Sequence, residues 1–88
     1  ANSGNLEVIA PLSKLQGMIN TSNGEDTVIL GEILSYLKKL YEMFVIFRNN
    51  GGNYYQFVAE INGNDIFNEI VKQNELYKNR HNGKSAFA

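Results

Sequence analysis

The sequence predicts a small all-α domain, a bundle of about four helices with one long central helix, and three observations predict it. From Thr27 to Arg48, Ile29, Leu30, Ile33, Leu34, Leu37, Leu40, Tyr41, Phe44 and Phe47 return at three- and four-residue steps, the period of one buried helix face. The breaks around this run, TSNG at 21–24, NNGGN at 49–53 and NGND at 62–65, are made of residues that stop and cap helices. Charge also falls where helix ends favour it: Glu25 and Asp26 precede the long run and Arg48 closes it, while Glu69 lies early and Lys78 late in the last segment.

The elements follow in chain order. Residues 1–5, ANSGN, read as a flexible lead. Leu6, Ile9, Leu12, Leu15 and Ile19 keep helical spacing, but Pro11 falls inside the run. Proline suits the first turn of a helix, so the reading is an ordered helix over about 11–20, with a kinked helix from about Asn5 as the other option. After the TSNG loop, Asp26 is placed to cap a helix over 27–48, on whose outer side Lys38 and Glu42 are spaced to pair. Residues 53–61, NYYQFVAEI, fit two patterns. As a helix capped by Asn53, Tyr54, Phe57, Val58 and Ile61 share a face. As a strand, Tyr55, Phe57, Ala59 and Ile61 share one, which gives an α+β alternative with a 43–48/54–61 hairpin packed on helices. The unbroken 3.6-residue period from Glu32 through Phe47 favours the helix. A fourth helix, over 65–78 and capped by Asn64 or Asp65, carries Ile66, Phe67, Ile70, Val71 and Tyr77 on one face. The expected core is Leu30, Ile33, Leu34, Leu37, Leu40, Tyr41, Phe44, Val58, Ile61, Ile66, Phe67 and Ile70.

With 88 residues the chain is one domain, 1–88, with flexible ends at about 1–5 and 79–88; RHNGKSAFA reads either as a frayed end or as a helix starting near Lys84. Its start on Ala1 rather than Met reads as a trimmed or excised piece. No run approaches the roughly 18 apolar residues of a membrane span, and no basic region followed by an apolar stretch marks a signal peptide. The net charge of −1 argues against a general nucleic-acid binder. The lack of cysteine removes disulfides and thiolate metal sites and suits an intracellular location, cytoplasmic or nuclear. The 13 asparagines point to an AT-rich coding source rather than to a function.

Little in the chain marks a chemistry. The single histidine, His81, sits in a polar tail and reads as an exposed side chain. Gly51-Gly52 lacks the lysine and hydroxyl that follow in a phosphate-binding loop, and reads as a helix stop. Asn20-Thr21-Ser22 matches the glycosylation pattern with no secretory signal beside it. No catalytic, cofactor-binding or metal-ligating set is legible, so the expectation is no cofactor and no enzyme.

From Ile33 to Leu76 a leucine-rich helix (ILSYLKKLYEMFVIF), an Asn-rich break (RNNGGN), a short helix (YYQFVAEI), an Asn-Gly break (NGN) and another apolar helix (DIFNEIVKQNEL) follow one another. With Phe57, Val58, Glu60 and Gly63 at the corner between the last two, this stretch resembles one unit of an armadillo-type helical repeat. The run 27–48 is long for such a unit, and one unit stands where solenoids stack about three or more. The resemblance implies a binding scaffold, in which side-by-side helices hold a partner.

The expected function is therefore a non-catalytic protein–protein interaction or self-association domain. Apolar surface around Val45, Phe47, Tyr54 and Phe87 would meet another protein or a second copy in a homodimer. Phe47→Ser should weaken that contact without loss of the fold. A nucleic-acid-associated role is the alternative. It would use the basic segment Lys72, Lys78, Arg80 and Lys84 with Tyr55 as a stacking surface beside Tyr54. An enzyme with a site not legible in the sequence ranks last.

Overall fold

The computed structural model describes residues 3–88, and their side chains from Leu12 onward. Four helices run through them: α1, Ser3–Thr21; α2, Glu25–Asn49; α3, Tyr54–Gly63; and α4, Ile66–Arg80. No strand forms among the described residues, so the hairpin alternative is not adopted. The reason is visible at its proposed start: α2 keeps its helical ladder through Met43–Arg48 and stops only at the glycines.

That stop is a Schellman turn. The Gly52 N–H reaches back to the Phe47 carbonyl at 2.9 Å, with Gly51 and Gly52 both at positive φ. Asn53 then caps α3, its Oδ1 accepting the Gln56 N–H at 3.0 Å. The end of α4 repeats the first device. Gly83 N–H bonds the Lys78 carbonyl at 2.8 Å, and Asn82 takes the left-handed position at φ 55°.

Three local expectations are corrected. α1 runs from Ser3 through Pro11 rather than starting near residue 11. α2 begins two residues before Thr27, with Gly24 in the cap position, so Asp26 lies inside the first turn and its carboxylate is free for tertiary use. Asp65 occupies the cap position of α4 in a left-handed conformation, but its Oδ1 accepts from the Asn68 side chain at 2.7 Å instead of capping the backbone. The Lys38–Glu42 pair is not among the ion pairs that the described residues form.

α2 is the axis of the molecule. α1, α3 and α4 all pack on it, and α3 touches α4, whereas among the described residues α1 and α4 make no backbone contact with each other. The core accordingly divides along α2 into two clusters. Leu15, Ile29, Leu30, Ile33, Leu34, Tyr77 and Ala86 form the first, and Met43, Ile61, Ile66 and Ile70 the second, with Leu37 packed against both. Four expected core residues lie outside them: Tyr41 and Val58 are half-buried, Phe44 is 39% exposed and Phe67 56%. Ile66 and Ile70 already face the interior, so Phe67 is rotated about 100° away from it. Phe44 stands at the edge of a ten-residue α3 too short to cover it.

Candidate interaction surface

The C-terminal turn of α2 and the first turn of α3 meet at a corner of aromatic rings. Phe47 and Phe57 meet at a tilt of 33° with centroids 4.8 Å apart, and Phe44 approaches them at 6.1 and 6.4 Å. Such offset and edge contacts are the favoured geometry of phenyl rings. The glycine stop brings them together: it reverses the chain within four residues, and a Cβ on Gly52 would stand 3.7 Å from the Phe47 ring. A shallow open groove lies on this corner. Met43, Ile46, Phe47 and Phe57 make its apolar floor, while Asn50, Asn53, Gln56 and Glu60 supply a polar rim. Ile46 is largely exposed, as are Tyr54 and Tyr55 at the start of α3, whose rings meet edge to face at 5.9 Å.

Of the residues expected at a partner site, Phe47 belongs to this corner and Tyr54 opens the helix that forms its other side. Val45 is half-buried on α2 and does not line the groove. Phe87 is exposed at the other end, next to Ala86 in the cluster with Leu30. Seventeen residues of helix separate Leu30 from Phe47, about 26 Å at 1.5 Å per residue. The two ends therefore do not form one surface. Ile46 and the amide rim were missed in the sequence. Their signal was present in the spacing, since Met43, Phe47 and Asn50 on one side and Asn53, Gln56, Phe57 and Glu60 on the other recur at three and four residues.

At that far end the polar residues of α2 and α4 are joined. Arg80 Nε donates to Asp26 Oδ1 at 2.6 Å and its NH1 group to Glu25 Oε2 at 3.0 Å, while His81 Nε2 lies 3.0 Å from Asp26 Oδ2. The His81 ring stacks on Tyr77 at 4.0 Å. His81 is thus half-buried and partnered, not the exposed tail residue expected from its polar neighbours, because Asp26 approaches it across 55 positions of sequence. The hydrogen bond from Arg80 holds the Asp26 carboxyl below the usual carboxylate range, with the charges of His81 and Arg80 acting the same way against partial desolvation.

These contacts alter the basic segment. Arg80 is engaged by two carboxylates, and Lys78 bonds Glu75 at 3.2 Å. Lys72 and Lys84 are exposed, and Tyr55 stands with α3 at the opposite end of α2 from Arg80. The five residues do not assemble into one stripe. Among the described residues no three His, Cys, Asp or Glu side chains gather as a metal site needs, no buried side-chain polar atom lacks a partner, and no helix is long and apolar enough to cross a membrane. A scan against protein-family models and searches of curated proteins and of solved structures each return no match.

Proposed function

We propose that this chain is a non-catalytic interaction domain whose docking face is the aromatic corner between α2 and α3, used for another protein or for a second copy of itself. One observation carries the reading. Phe44, Phe47 and Phe57 form a contiguous ring cluster that α3 leaves partly uncovered, with exposed Ile46 in the same groove. An apolar floor rimmed by amides is the anatomy of a protein contact: aromatic anchors are desolvated at the centre while polar side chains keep hydrogen bonds at the edge. The cysteine-free composition fits an intracellular setting, which belongs to the same proposal.

The nucleic-acid alternative is weakened at one of its four cations, because the guanidinium of Arg80 is paired with Glu25 and Asp26. Phosphate binding draws its energy from cations that release counterions, and a cation held by two carboxylates contributes little.

Ile46→Lys combined with Tyr54→Ser tests the proposal better than Phe47→Ser, since Phe47 packs on Phe57 and its loss would also disturb the corner. Both chosen side chains are exposed, so stability should change by no more than about 0.5 kcal/mol. Sedimentation equilibrium over a wide concentration range, with affinity capture by the wild-type chain as bait, should show association that the double variant loses. Association unchanged in the double variant removes the corner as the docking face.

A further inference from the structure

Four Asn-Gly steps punctuate the chain, at 23–24, 50–51, 62–63 and 82–83. Each carries a latent reaction. The glycine amide nitrogen attacks the asparagine carboxamide carbon, loses its proton, closes a five-membered succinimide and expels ammonia. Water then opens the ring at either carbonyl and leaves aspartate or isoaspartate. Glycine suits the attack because no Cβ crowds its nitrogen. The step needs that nitrogen free of hydrogen bonds and the asparagine free to rotate about ψ, so the fold decides which of the four steps reacts.

Three of them are held. At 82–83 the attacking nitrogen itself is engaged, the Gly83 N–H donating to the Lys78 carbonyl at 2.8 Å. Asn62 lies in the last turn of α3, and its carbonyl accepts the Asp65 N–H at 3.1 Å. The Asn50-Gly51 peptide is clamped from both sides, by the Asn50 N–H on the Ile46 carbonyl and the Gly52 N–H on the Phe47 carbonyl, each at 2.9 Å. Asn23-Gly24 differs. It lies between α1 and α2, and Asn23 is exposed. Among the described residues no hydrogen bond engages the backbone or side chain of Asn23, or the Gly24 N–H. The adjoining ties are the Ser22 N–H on the Ile19 carbonyl at 3.1 Å and the Thr27 N–H on the Gly24 carbonyl at 3.2 Å, one on each side of the reacting atoms. Nothing lies within 4 Å of the Cβ position at Gly24, so the space beside the ring is open.

We propose that Asn23 is a self-modification site, converted to aspartate or isoaspartate by the Gly24 nitrogen of its own chain and by water. The product is a carboxylate just ahead of Glu25 and Asp26, at the helix end that favours negative charge. In the isoaspartate form the backbone gains one carbon between Ser22 and Thr27, whose hydroxyls meet at 2.7 Å. Asn50, on the rim of the aromatic corner, keeps its neutral amide, so the reaction does not alter that face.

The test ages the full-length chain in warm, mildly alkaline buffer and maps its peptides by mass spectrometry. Isoaspartate is read separately, as methyl groups accepted from a labelled donor through a protein isoaspartyl methyltransferase. Asn23 should convert at least about tenfold faster than Asn50, Asn62 and Asn82, which must first open locally. Unfolding in guanidinium chloride should bring the four rates together. In Asn23→Gln, where the longer side chain would have to close a six-membered ring, the early acidic species on ion exchange should disappear. Native-state conversion of Asn23 no faster than that of the other three overturns the proposal. So does an early acidic species undiminished in Asn23→Gln.

Discussion

Ile66 and Phe67 are neighbours in sequence and both read as core, yet the fold gives them opposite environments, and truncating each to alanine measures the difference. Ile66 is 0% exposed among Met43, Ile61 and Ile70, whereas Phe67 is 56% exposed. Ile66→Ala removes three carbons, worth about 2.4 kcal/mol at roughly 0.8 kcal/mol per buried methylene. A residual cavity adds to this, giving a loss of about 3–4 kcal/mol within the usual span for such truncations. Phe67 has less than half of its surface covered, so its burial is worth about 1 kcal/mol, and alanine's better helix propensity returns about half of that. Against a total stability of roughly 4–13 kcal/mol for a chain of this length, the first change approaches unfolding and the second barely registers. Urea titration followed by circular dichroism reads both. With a slope near 1 kcal/mol/M, the midpoints of the two variants should separate by about 3 M. Equal midpoints, or a larger loss for Phe67→Ala, would refute the placement of α4 on α2.

Asn53→Ala removes the side-chain cap of α3 and should cost about 1 kcal/mol by the same titration; no change would mean that Oδ1 does not hold the Gln56 N–H. The Asp26 carboxyl has a folded pKa below its unfolded one, so its contribution is fully present above the unfolded value and is lost as pH falls through the folded value. The wild type should therefore lose stability more steeply than Asp26→Asn as pH falls through and below the ordinary carboxylate range, and parallel curves would remove the pairing of Asp26 with Arg80 and His81 as the cause. Ile46→Lys with Tyr54→Ser should keep the urea midpoint while losing association, which separates a docking role from a folding one.

The period of residues 27–48 determined the long helix, and the Asn-Gly breaks determined where the chain turns, because both are local: one is the repeat of side chains around an axis, the other the backbone freedom of a few residues. Asn53 as a cap and Gly51-Gly52 as a stop were legible for the same reason. The candidate surface was legible in part. Phe47 and Tyr54 stand at one corner, but Phe87 was grouped with them only because all three are apolar and unclaimed. Periodicity says which residues share a helix face and not which neighbour arrives there, so Phe44 and Phe67 were counted into a core that α3 and α4 do not extend over them. The docking of Arg80 and His81 on Asp26, and of Ala86 beside Leu15, joins positions more than fifty residues apart through single contacts that leave no pattern along the chain. The sequence alone determined the helices and their ends by local stereochemistry; only the tertiary structure decided which faces are covered, because coverage depends on the length and placement of neighbouring helices rather than on the face itself.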